Sequence, residues 1–160
     1  MSSFEPGGPA ASIASVTDKV RPVALGAPVT SVHFLGGRAA FVGAEENVFF
    51  ADGESAVTTV ATHGGGILCA VSDGSRLVMG GDDGRLVALD AKGQVSELVK
   101  DTKRRWIDNV ALHGDGALAW SVGKVAYVRS GKGEDKFFEV TSTVGGLAFA
   151  PKGMRLAIAH

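Results

Sequence analysis

Four stretches of this sequence follow one plan: an apolar run, a turn closed by glycine, and a second apolar run. They read SVHFLGGRAAFVG from Ser31, LCAVSDGSRLVMGG from Leu68, NVALHGDGALAWSVG from Asn109 and GLAFAPKGMRLAIAH from Gly146. Their turn glycines, Gly37, Gly74, Gly116 and Gly153, are spaced by 37, 42 and 37 residues. A chain that repeats itself at a fixed period builds one small unit several times over, and each unit buries its apolar surface against its neighbours. Asp52-Gly53, Asp83-Gly84 and Lys92-Gly93 punctuate the runs in between. Such pairs tolerate the positive φ that tight hairpin turns demand. The pattern therefore predicts an all-β chain in which each strand folds back on the one before it.

In the clearest unit, ILCAVSDGSRLVMGGDDGRLVALDAKGQVSELVKD, strands are predicted near Ile67 to Val71, Arg76 to Gly80, Arg85 to Asp90 and Gln94 to Lys100. The helical competitor runs from Gln94 to Arg105, where Val95, Leu98, Val99 and Thr102 recur at helix-like spacing, but Lys92-Gly93 in front of it makes a better hairpin. Four strands in a period of roughly 40 residues describe a β-propeller blade, with helical arrays as the competing architecture at similar length. The expected fold is a β-propeller of four-stranded antiparallel blades, about three and a half of them, an incomplete ring. Blades are expected over about 29–62, 67–101 and 107–141, with an incomplete one over 146–160. Val20-Arg21-Pro22-Val23 parallels Val57-Thr58-Thr59-Val60 one period later, so residues 20–25 are expected to form the outer strand of a closing blade. Neighbouring blades on both faces would account for the unbroken apolar runs Leu77-Val78-Met79, Leu118-Ala119-Trp120 and Leu156-Ala157-Ile158-Ala159.

Residues 1–19, rich up to Ser15 in Ser, Gly, Pro and Ala, bury too little apolar surface to offset their ordering entropy and are expected to be a flexible tail. They contain Pro6 and Pro9 where a secretory signal needs an apolar run, and no Lys or Arg in the first sixteen positions. No stretch approaches the roughly 18 apolar residues of a membrane helix, so no membrane is expected as partner. The single cysteine, Cys69, forms no internal disulfide and fits a reducing compartment, by default the cytoplasm. Sixteen Lys and Arg against seventeen Asp and Glu leave a net charge of −1. That balance provides no general basic field for nucleic acid, which is not expected as a partner.

The unit from His63 to Asp90 resembles a WD40 repeat, a likeness that extends from Ser31 to the end of the chain. His63 sits where such repeats carry a Gly-His pair, Ser72-Asp73-Gly74 is similar to their turn, and Gly80-Gly81-Asp82-Asp83-Gly84 to their Ser-Gly-Ser-x-Asp segment. Leu89-Asp90 stands at the place of Trp-Asp, and Phe149-Ala150-Pro151-Lys152-Gly153 resembles the Phe-Ser-Pro-Asp-Gly turn. The resemblance implies that His63 and Asp83 belong to a buried hydrogen-bond network that stiffens the blade. Its other two members, a Ser or Thr and a Trp, are replaced by Met79 and Leu89. The first unit has Glu46 and Ala51-Asp52 at the matching places, and the third has Val122-Gly123-Lys124 in place of the acidic turn.

Chemistry is sparse. Metal sites need ligands at recognisable spacings such as H-E-x-x-H or C-x-x-C, and none is present, so no metal or cofactor is expected. Asp82-Asp83-Gly84 lacks the repeating acidic spacing of a calcium loop and reads as a turn. Gly64-Gly65-Gly66 and Gly80-Gly81 belong to no phosphate-binding motif and are expected to shape loops. Ser121, Ser130 and Ser142 lie in no nucleophile elbow, and Cys69 falls inside an apolar strand, where a thiol is inert.

One local feature points to binding. Lys100-Asp101-Thr102-Lys103-Arg104-Arg105-Trp106 falls where the outer strand of one blade returns to the inner strand of the next. Arg and Trp are enriched among interface hot spots, which makes Arg104, Arg105 and Trp106 the candidate partner contacts; the competing reading tucks Trp106 between blades behind a solvated turn. The resemblance implies a non-catalytic scaffold that presents blade loops to protein partners. The alternative is a propeller enzyme such as a metal-dependent hydrolase, for which Asp82, Asp83, Asp108 and His113 are the candidates at a channel mouth. A ring of seven such blades needs roughly 300 residues, so the remainder of the propeller, or further copies of the chain, is also an expected partner.

Overall fold

The hairpin chemistry is realised at every described turn that the sequence marks. The computed structural model describes Thr17 and residues 20–52 and 56–160. Gly37, Gly74, Gly84, Gly93, Gly116 and Gly153 all take positive φ, between 72° and 89°. The four glycines that define the period close the first hairpin of four successive units.

The first unit contains β1 (Val29–Leu35), β2 (Arg38–Gly43), β3 (Asn47–Asp52) and β4 (Ala56–Ala61). The second contains β5 (Ile67–Ser72), β6 (Arg76–Gly81), β7 (Arg85–Asp90) and β8 (Val95–Lys100). β9 (Val110–Leu112), β10 (Leu118–Val122), β11 (Val125–Arg129) and β12 (Asp135–Glu139) form the third, and β13 (Gly146–Phe149) and β14 (Leu156–Ala159) a two-stranded fourth. Within each unit the strands pair antiparallel in chain order. The first strands β1, β5, β9 and β13 lie beside one another from blade to blade. This is a β-propeller with three complete four-stranded blades and half of a fourth. No helix of the described residues is long and apolar enough to cross a membrane.

Packing between blades explains the unbroken apolar runs of the second and third blades, whereas Leu156-Ala157-Ile158-Ala159 alternates between half-buried and exposed. Leu77 and Met79 of β6 join Leu35, Val42, Val48 and Phe50 of the first blade in one buried cluster. Val78, one residue out of phase on the pleat, points the other way and packs with Leu118, Trp120 and Val122 of the third blade. Both faces of the second blade are thus covered, and each fully buried side chain there contributes about 1.5–3 kcal/mol. Polar bonds cross the same seams: Gly36 N–H donates to Gly74 O at 2.9 Å, and Arg129 Nη1 donates to Leu98 O at 3.1 Å.

Residues 95–100 form the expected strand rather than the competing helix: β8 pairs along β7 from Arg85↔Lys100 to Leu89↔Val95. Two local expectations end differently, at Gly80-Gly81 and at residues 20–25. Gly80 and Gly81 are strand residues at the end of β6 rather than loop residues. Residues 20–25 form no strand and pair with none of the sheets, and the third strand of the closing blade, beside which an outer strand would lie, is not among the described residues. The expected tail, residues 1–19, lies outside the described residues apart from Thr17.

Candidate partner-binding site

The connection from β8 to β9 carries the basic run, and Asp101 organises it. Its carboxylate accepts hydrogen bonds from the backbone N–H of Lys103 (3.1 Å) and Arg105 (2.9 Å). Arg105 closes on the same carboxylate through Nε at 3.2 Å and Nη2 at 2.6 Å. The Arg105 guanidinium holds the Asp101 carboxyl below the usual carboxylate range, and Asp101, with a lesser contribution from Tyr127, raises Arg105 in return. Asp101 N–H donates to Gly84 O at 2.8 Å, which anchors the turn to the second blade. Gly84 also lets the loop come close: a Cβ there would lie 2.7 Å from Arg104 Cα.

Arg104 takes φ 53°, in the left-handed region that side chains with a Cβ enter at a cost of about 1–2 kcal/mol. The surrounding bonds impose it. Trp106 is 63% exposed, so it is not tucked between blades, whereas Ile107 beside it is fully buried and its N–H donates to Gly81 O at 3.1 Å. A large amphipathic ring is therefore presented to solvent from a loop fastened at Asp101, Gly84 and Ile107. Asp101 was not among the candidate residues, yet its position two and four residues before Lys103 and Arg105 is the signature of a side-chain-capped turn.

The His63–Asp83 pair implied by the resemblance forms. His63 Nδ1 lies 3.1 Å from Asp83 Oδ1, with both side chains buried. Asp83 also accepts from Gly64 N–H at 2.9 Å and Arg85 N–H at 3.0 Å. Burial pushes the Asp83 carboxyl up, but these donors outweigh it and hold the group below its ordinary value. His63 Nε2 is buried with no hydrogen-bond partner, while Met79 and Leu89, which replace the hydroxyl and indole positions, are fully buried apolar residues. Gly81 makes room for the pair, because a Cβ there would approach His63 Nδ1 to 2.5 Å. Gly80 likewise clears Ile107 O, and Gly65 clears the Asp82 carboxylate.

The four candidates of the hydrolase reading are distributed over separate networks. Asp83 is committed to His63, and Asp82 packs against Gly65 and Gly66. Asp108 accepts from Ser121 Oγ and Asn109 Nδ2, each at 3.1 Å, and Asn109 also reaches Val144 O at 3.0 Å. His113 pairs with Asp115 at 2.7 Å in the β9–β10 turn. Among the described residues no three His, Cys, Asp or Glu side chains are placed to hold a metal ion. Burial pushes the Cys69 thiol up to about 12, which keeps it protonated at neutral pH.

Both ends of the arc carry apolar side chains in solvent. Val32 and Phe34 project from the open face of β1, with Phe34 68% exposed. At the other end Phe138, Met154, Leu156 and Ile158 line a groove of about 360 Å³ between β12 and the half blade.

Neither a protein-family model nor a curated protein matches the sequence. Among solved structures, the chain is similar to a virginiamycin B lyase from Staphylococcus aureus, with a TM-score of 0.65 and 13% identity over 81% of this chain and 48% of that one. It is similar as well to the Pan2 WD40 domain from Neurospora crassa, with a TM-score of 0.60 and 12% identity over 78% of this chain and 42% of that one. At these identities the likeness shows a shared β-propeller fold. The chain spans about half the length of either structure.

Proposed function

We propose that this β-propeller is a non-catalytic, WD40-like scaffold that presents its blade loops to protein partners, with Arg104, Arg105 and Trp106 as contacts. The observation that carries the reading is the exposure of Trp106 on a loop whose backbone is bonded down on both sides. A rigid, exposed aromatic beside arginines loses little conformational entropy on binding and gains from desolvation. The WD40 domain among similar structures supports this use of the fold, and the lyase is a reminder that the fold also hosts enzymes.

The same reading includes further blades of the same repeat as partners that complete the ring, supplied by a longer chain or by further copies. The exposed apolar faces at both ends support it, as does the length of the similar propellers. Light scattering on the isolated chain tests this part: a stable, cooperatively melting monomer overturns it.

Affinity capture tests the scaffold. The wild type is expected to retain a defined polypeptide and no stoichiometric metal, while Trp106→Ala with Arg105→Ala loses the polypeptide and keeps a β-sheet spectrum. Unaltered capture removes the loop from the site, and a retained stoichiometric metal ion favours the hydrolase instead.

A further inference from the structure

A second feature beside this loop deepens the scaffold reading and rests on it. Between the second and third blades lies a cleft of about 280 Å³. Val99 and Lys100 of β8 form one wall, Trp120 and Val122 of β10 the floor, and Tyr127 and Arg129 of β11 the other side. Both of its walls belong to complete four-stranded blades, so, unlike the apolar surfaces at the two ends of the arc, its shape does not depend on what completes the ring. The floor is firm. Trp120 and Tyr127 stack at 5.3 Å with their planes 9° apart, and the Arg129 guanidinium lies 5.4 Å from the Trp120 ring. Arg129 also ties the two blades together through Leu98 O.

The charge around the cleft is unbalanced. Its two carboxylates are taken, Asp101 by Arg105 and Asp135 by Arg129. Lys100 in the cleft, and Lys103 and Arg104 on the loop that follows, have no carboxylate partner among the described residues. The unspent charge is therefore positive and local, while the chain as a whole carries −1. A few local cations over an aromatic floor match a few carboxylates flanking an apolar side chain. They do not provide the extended basic field that a polyanionic backbone requires. The volume is at the small end of ligand pockets, enough for one or two side chains of an extended segment.

We propose that the cleft between the second and third blades docks an acidic peptide segment of a partner protein, with one apolar side chain against the half-buried Val99 and Tyr127, which stacks on the buried Trp120, and its carboxylates facing Lys100 and the basic loop. The chain has two tryptophans, Trp106 on the loop and Trp120 in the cleft, so Trp106→Phe leaves Trp120 as the only indole reporter. The probe is a blocked glutamate octapeptide with one central leucine. The comparison ligands are an all-glutamate octapeptide, a lysine octapeptide with the same leucine, and an oligothymidylate of matching charge.

The expected result is a saturable shift of Trp120 emission with the glutamate–leucine peptide. Binding should weaken about tenfold when the leucine is removed and about tenfold in Lys100→Glu, an exposed change at the end of β8 whose folding is checked by circular dichroism. No saturable shift, an equal response to the lysine peptide, or insensitivity to Lys100→Glu overturns the proposal. Preferential binding of the oligothymidylate overturns it too, in favour of nucleic acid. If a partner is captured through Trp106 while the peptide leaves Trp120 unchanged, the acidic-peptide cleft is overturned and the scaffold reading stands.

Discussion

His63 and Asp83, twenty positions apart in the chain, meet as a buried pair at 3.1 Å, although the apolar residues Met79 and Leu89 stand where similar repeats complete the network. Asp83 has two further backbone donors, Gly64 and Arg85, so the pair also closes the β6–β7 turn onto the segment that precedes β5. Removing one partner leaves buried polar groups unpaired, which costs more than the bond contributes. Asp83→Ala is expected to lower stability by about 3 kcal/mol, read as a shift of the urea midpoint at unchanged slope. A loss under about 0.5 kcal/mol would mean that the pair is ornamental.

Gly81 and Gly37 are both glycine for different reasons, and alanine separates them. At Gly81 a Cβ would collide with His63 Nδ1 at 2.5 Å and Asp83 Oδ1 at 2.9 Å, so Gly81→Ala is expected to cost about 3 kcal/mol by displacing the pair. At Gly37 nothing lies within 4 Å, but φ is 87°, so Gly37→Ala is expected to cost only about 1 kcal/mol through backbone strain. Equal losses in denaturant titrations would contradict the distinction.

Arg104 invites the opposite change. Its positive φ is strained, so Arg104→Gly is expected to raise stability by up to about 1 kcal/mol while weakening partner capture through loss of the guanidinium. A variant that is less stable than the wild type would show that the Arg104 side chain has a structural role.

Strong acid should weaken the β5–β6 turn. Burial pushes the Asp73 carboxyl up, but Ser75 Oγ, the N–H groups of Arg76 and Ser75, and the Arg76 guanidinium together bring it down to about 2. A carboxylate held below its ordinary 3.8 contributes stability that is present above that value and is lost as pH falls through about 2. Solvent screening at this exposed turn keeps the contribution to about 1 kcal/mol. The wild type should therefore exceed Asp73→Asn by about that amount at neutral pH, with the gap closing over this acid window in urea titrations.

Cys69 should resist thiol reagents. With its thiol at about 12 instead of 9.0, native protein holds about a thousandfold less thiolate at neutral pH than an ordinary cysteine. Labelling with an aromatic disulfide reagent is expected to be slow in buffer and fast in urea. Rapid labelling of the native state would show that the strand opens readily.

The strand boundaries of the second blade were legible to within a residue or two, because Asp73-Gly74, Asp83-Gly84 and Lys92-Gly93 act over two residues and need nothing distant to choose a positive φ. The candidate loop was legible as composition only. Nothing in the order Lys103-Arg104-Arg105-Trp106 says that Trp106 faces solvent while Ile107 is buried, because that depends on Gly81 O, from the preceding blade, accepting the Ile107 N–H. Asp108 was legible as an acid, but its use depends on Ser121 and on Asn109 reaching Val144, contacts that span up to 35 residues.

Sequence by itself therefore determined the repeat, the hairpins and the all-β character, since turn geometry and the spacing of apolar runs are local physics. Only the tertiary structure decided which polar groups pair, which aromatics face solvent, and where a cleft opens between blades. Those outcomes arise where separate repeats meet, and burial there is set by neighbours roughly a full period away in the chain.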